Sequence, residues 1–157
     1  MTTAPDTPST PDTRAGWMSL LACVSVDALA ERWEALALDP AYTWLRAPEI
    51  GAVMVRGRAG GTGAPFNLGE MTVTRCTLRL DESGATGHAY VQGRAPAHAR
   101  RAALVDALMH TDAAPRLTQD LLAPLQAERK RARSQEAARA QTTKVDFFTL
   151  VRGEDSA

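Results

Sequence analysis

YTWLRAPEIGAVMVRGRAGGTGAPFNLGEMTVTRCTLRLDESGATGHAYVQ, residues 42–92, decides the fold. Tyr42-Thr43-Trp44-Leu45 is aromatic and β-branched, the chemistry of a strand. Pro48-Glu49-Ile50-Gly51 has the composition of a turn. Residues 52–58 then alternate, with Val53 and Val55 on one side and Met54, Arg56 and Arg58 on the other. A glycine-rich loop covers residues 59–69. Residues 71–80 alternate again: Thr72, Thr74, Cys76, Leu78 and Leu80 face one way, Arg75 and Arg79 the other. Asp81-Glu82-Ser83-Gly84 reads as a hairpin turn and residues 85–92 as a last strand. Four strands joined by short connections predict an antiparallel meander.

Helical patterns flank this stretch. Trp17, Leu20, Leu21 and Val24 share one helical face, and Ser25 with Asp27 opens a second helix through Leu29, Trp33 and Leu36. Beyond the strands, Pro96 suits a first helical position, and Leu104 and Leu108 lie one turn apart. Leu117, Leu121 and Leu125 mark a further helix with a kink or restart at Pro124. ERKRARSQEAAR, residues 128–139, has no large apolar residue and reads as a helix that is solvated or formed against a partner. The expected class is α+β: a four-stranded sheet, N-terminal helices, two or more C-terminal helices and a final extended arm.

The chain has 157 residues, room for one domain. Residues 1–13, rich in Pro and Thr, read as a disordered tail. Residues 14–142 form the domain, and 143–157 a docking arm and tail. Eighteen basic residues balance eighteen acidic ones, which argues against nucleic acid or an anionic membrane as partner. No apolar run approaches the ~18 residues of a membrane span, and no signal peptide is visible, so the cytoplasm is expected. Cys23 and Cys76 make neither a disulfide framework nor a metal set.

Several residues are candidates for chemistry. Arg58 with Gly60, Gly61 and Gly63 offers amides and a cation to a phosphate; the plainer alternative is a bulged connection between strands, since the loop lacks the Gly-Lys-Ser/Thr of a nucleotide-binding loop. Arg56, Arg58, Glu70, Arg75 and Arg79 line the polar faces of two strands, as cross-strand charge pairs or as an anion-binding surface. Arg94 and His98 beside a helix start would form an anion pocket; otherwise His98 is a surface residue with a backbone partner. Asp106 reads as the partner of Arg101 or another Arg. His98, Glu70 and Asp106 are the candidates for acid–base catalysis, and no metal site is expected. Val145, Phe147, Phe148, Leu150 and Val151 form an apolar segment that packs on the chain's own sheet or anchors on another protein.

In order along the chain, GWMSLL (16–21), RGRAGGTG (56–63), FNLGE (66–70) and TVTR (72–75) are followed by Gly93-Arg94, His98-Ala99, LVDAL (104–108) and VDFFTLVRG (145–153). Together they resemble the PhnG family, the G subunit of the bacterial carbon–phosphorus lyase system. The resemblance covers residues 14–153. It implies a role in phosphonate catabolism beside H, I, J and L subunits, with two copies of each core subunit. It also implies that the complex takes MgATP and an alkylphosphonate, releases adenine and leaves α-D-ribose 1-alkylphosphonate 5-triphosphate. The main active site is assigned to the I subunit, so an assembly or co-catalytic role is expected here, with no cofactor held by this chain. The alternative is a free-standing module that binds a small anion through the glycine loop and arginines.

Overall fold

The computed structural model of the protein describes residues 12–142. Helix α1 (Arg14–Cys23) is capped by Thr13, whose hydroxyl accepts from the Gly16 amide. Helix α2 (Val26–Leu36) starts at Ser25, whose Oγ accepts from the Ala28 amide, with Asp27 in its first turn as the sequence predicts. Strands β1 (Tyr42–Arg58), β2 (Pro65–Leu80) and β3 (Thr86–Gln92) form one antiparallel sheet in the order β1-β2-β3. Helices α3 (Pro96–Leu108), α4 (Ala114–Leu117) and α5 (Ala123–Thr142) follow.

The α+β class holds, but the described sheet has three strands and not four. Pro48-Glu49-Ile50-Gly51 is not a turn. It lies inside β1, which runs on through two register shifts between Trp44 and Glu49. The physical reason is position: β1 is an edge strand, so proline costs no ladder bond on its open side, and bulges absorb the mismatch. Phe66 and Leu68, expected in a loop, belong to β2. The expected arm with Val145, Phe147, Phe148, Leu150 and Val151 lies outside the described residues, as do residues 1–11 of the tail.

The helices cover one face of the sheet. Thr74, Cys76, Leu78 and Leu80 of β2 are buried while Arg75 and Arg79 are exposed, and Ala89 and Val91 of β3 are buried while His88 and Tyr90 are exposed. This period of two is the alternation read from the sequence. The core joins Trp17, Leu21, Leu29, Trp33, Leu78, Val105 and the leucines 117, 121, 122 and 125. A π-helical turn (Thr118–Leu122) stands between α4 and α5. It sits where Pro124 has no N–H for the Asp120 carbonyl, and Thr118 Oγ1 donates to the Ala114 carbonyl. Among the described residues no helix is long and apolar enough to cross a membrane.

One glycine sets how closely the layers approach. A Cβ at Gly87 of β3 would lie 2.6 Å from the Ala107 amide nitrogen and 2.8 Å from its Cβ, and would overlap the Ala103 carbonyl oxygen. Ala99, Ala103 and Ala107 recur every fourth residue, so α3 presses a small-residue stripe onto the strand. Gly87→Ala is expected to cost about 3 kcal/mol or more in chemical denaturation, because backbone and not a movable side chain is in the way. Gly51→Ala, whose Cβ would meet nothing within 4 Å, should stay within about 0.5 kcal/mol.

Candidate functional site

Asp106 is fully buried on the inner face of α3. Arg14 donates to it twice, from Nε to Oδ1 at 3.2 Å and from Nη2 to Oδ2 at 2.8 Å. Trp17 Nε1 donates to Oδ1 at 2.9 Å, and the His88 backbone amide donates to Oδ2 at 2.9 Å. Each carboxylate oxygen thus accepts two hydrogen bonds. Arg14 and Trp17 stand on one face of α1, a turn apart, and His88 lies on the free edge of β3. Burial, the largest single influence, would raise the Asp106 pKa. The bonds from Arg14, His88 and Trp17, with the charge of Arg14, outweigh it and hold the carboxyl below the usual range. The partner is therefore Arg14 and not Arg101, which reaches Glu34 at 3.7 Å.

His98 is also buried, at 3% exposure. Its Nε2 donates to the Leu21 carbonyl of α1 at 2.7 Å, and Nδ1 has no partner. The backbone partner of the plainer reading exists, but the ring points into the core and not onto the surface. Arg94 remains exposed. Burial pushes the Cys76 thiol up to about 11, so it stays neutral at physiological pH.

The register separates the remaining charged candidates. Arg75 and Arg79 lie on the open face of the sheet, where Arg75 Nε meets Glu49 at 2.5 Å and Arg46 approaches the same carboxylate at 3.8 Å. This is the cross-strand pairing, made by a glutamate inside the supposed turn. Arg56, Arg58 and Glu70 lie on the opposite face, since Glu70 pairs with Met54 and Arg56 is two residues further on.

The glycine connection caps the far end of the β1–β2 ribbon. Gly60 and Gly61 take positive φ values of 58° and 78°, which glycine adopts without strain. The Gly63 amide donates to the Ala59 carbonyl at 2.9 Å, and Arg58 Nη1 donates to the Gly63 carbonyl at 3.0 Å. The turn is closed largely on itself. Gly93, next to Arg94, pairs with Thr72. Seven residues of extended β2 separate Thr72 from Pro65 at the tip, about 23 Å at 3.3 Å per residue. Arg94 and His98 thus belong to the helical end, and Arg58 with Gly60, Gly61 and Gly63 to the ribbon tip. The sequence pattern marks Trp17 as part of an apolar helical face and singles out nothing about Arg14. The available signal was the lone carboxylate in AALVDAL, residues 102–108, which burial obliges to find a donor.

Losing Asp106 leaves the Trp17 indole N–H and the His88 amide without their acceptor, while the half-exposed Arg14 turns to water. Asp106→Ala should therefore cost about 2–4 kcal/mol. The sign of the pH effect follows from the lowered pKa. Its contribution is complete above the unfolded value of about 3.9 and is lost as pH falls through the lower folded value. Urea titrations from pH 6 to 2 should show a smaller acid-induced loss of stability in Asp106→Asn than in the parent.

Comparison with known proteins bears on this arrangement. The family model described as "Phosphonate metabolism protein PhnG" matches residues 12–153. A protein of Rhizobium meliloti (strain 1021), alpha-D-ribose 1-methylphosphonate 5-triphosphate synthase subunit PhnG, is 45% identical over 142 residues, 88% of each chain. The match spans the Arg14–Trp17–Asp106 cluster, the ribbon and the helical layer, and the chain belongs to the PhnG family of phosphonate metabolism proteins.

Proposed function

We propose that this chain is an assembly or co-catalytic subunit of a synthase that makes α-D-ribose 1-alkylphosphonate 5-triphosphate in phosphonate catabolism. The observation that carries the reading is the 45% identity, over 88% of both chains, to a protein named as a subunit of such a synthase. In the reaction a phosphonate oxygen attacks C1′ of the ribose of MgATP, the C1′–N9 bond breaks, and adenine leaves carrying a proton. The triphosphate stays on C5′. The complex works in the cytoplasm, with H, I and J subunits in a core of paired copies and the L subunit alongside.

The disposition of side chains supports a supporting role. Asp106 spends both oxygens on α1 and β3, and His98 spends Nε2 on α1. Asp106 thus has no unbonded oxygen to offer a substrate, and His98 keeps only Nδ1, buried in the core. Glu70, on the exposed ribbon, is the remaining candidate for acid–base work. Arg58, Gly60, Gly61 and Gly63 at the tip, with Arg75 and Arg94 elsewhere, would contact phosphate oxygens only in sites completed by other subunits. Val145, Phe147, Phe148, Leu150 and Val151 would dock the chain on the I subunit.

Co-expression with the H, I, J and L subunits tests the reading. Adenine release from MgATP and methylphosphonate should require this chain, and turnover without it would overturn the proposal. A chain ending at Lys144 should no longer co-elute with the core. A general acid or base is worth about 10²–10⁴-fold, so a loss under about tenfold in Glu70→Gln would exclude that role for Glu70.

A further inference from the structure

The β1–β2 pairing runs on past the helices. β3 accompanies β2 only from Val73 to Arg79. None of residues 45–72 belongs to the core cluster. From the Ala52–Thr72 pair to the Arg58–Pro65 pair two strands stand without a third, over about 20 Å. Apolar side chains on and at the base of this ribbon are open to solvent: Ile50 is 45% exposed, Met54 52%, Phe66 45% and Leu68 66%. They occupy both faces. Ile50 and Met54 share one with Arg56 and Arg58. Phe66 is paired with Gly57 on the other, and Leu68 joins it there, each 3.8 Å from where a Gly57 Cβ would stand.

We propose that this ribbon is an insertion arm that enters a slot in a different subunit of the synthase, between two apolar walls and with an acidic rim facing Arg56 and Arg58. The proposal rests on the subunit reading and names the surface that reading needs. A single docking face would leave the apolar side chains of the other face in water, whereas a slot covers Ile50 and Met54 together with Phe66 and Leu68. The charges favour a different protein over a second copy. Residues 50–72 carry two arginines against the single carboxylate Glu70. A second copy would offer this arm an open sheet face with Arg46, Arg75 and Arg79 against Glu49, and an α5 rich in arginine, so like charges would meet.

The test uses full-length chains co-expressed with the H, I and J subunits, with the tag on the I subunit and elution followed by size exclusion. Ile50→Asp with Met54→Asp charges one face, and Phe66→Asp with Leu68→Asp the other. Each pair should weaken retention by about 30-fold or more. Arg56→Glu exposes nothing apolar and leaves the fold intact. It should weaken retention by roughly tenfold, with the deficit fading at high salt. Tyr90→Asp, equally exposed but on β3, should be retained like the parent. Full retention of both face variants overturns the arm, and loss in only one overturns the slot. An Arg56→Glu variant that binds normally overturns the acidic rim. A chain that self-associates alone, and loses this with the same variants, makes the occupant a second copy. Failure of the parent itself to co-elute would instead overturn the subunit reading.

Discussion

A buried carboxylate with four donors governs how the layers of this protein meet. Taking Asp106 out of water is unfavourable by several kcal/mol unless donors replace the lost hydration. Those donors come from α1, through Arg14 and Trp17, and from β3, through the His88 amide, while the carboxylate rides on α3. The close approach at Gly87 makes the last of these possible, because it lets α3 sit on β3 one residue before His88. The other end of α1 is held by His98, also from α3, through the Leu21 carbonyl. Helix α1 is thus tied to α3 at both ends, and the apolar contacts of Leu20 and Leu21 fill the space between.

Much of this was legible in the residues. The stripes of Trp17, Leu20 and Leu21 and of Leu29, Trp33 and Leu36 bury as their spacing requires, and β2 alternates about Arg75 and Arg79 as read. The structure departs from the turn expected at residues 48–51 because turn composition and bulged edge strand share the same residues. Proline and glycine punctuate both, and only the pairing partner distinguishes them. The carboxylate's partner was hidden for a different reason. Arg14 opens a helix and shows no apolar periodicity, so only the three-dimensional approach of α1 to α3 selects it over Arg101.

The same contacts decide what chemistry is left. Groups that titrate or attack in other settings are buried here: Asp106 as an acceptor, His98 as a link to α1 through Nε2, and Cys76 as a neutral thiol in the core. Exposed pairs such as Arg75–Glu49 contribute at most about 1 kcal/mol each and orient side chains more than they stabilise the fold. The core holds the chain together through buried polar bonds, while its surface carries most of what another protein could recognise.

That division explains the length of the strands. The main core cluster draws on Tyr42 and Trp44 from β1 and on Cys76, Leu78 and Leu80 from β2, and Val73 of β2 is buried beside them in sequence. Those contacts lie at the end of the sheet that β3 accompanies, with Leu80 and its partner Tyr42 one residue past it. At the other end, a two-stranded ribbon is marginal in water unless continuous with a larger sheet, as this one is through β2. The ribbon is therefore stabilised by the core without contributing apolar side chains to it. Exposed apolar residues on both its faces lower solubility and return nothing to the isolated domain. Selection for the stability of the lone domain would shorten such a ribbon or make it polar. Its length and composition make physical sense when the folded unit is larger than this one chain.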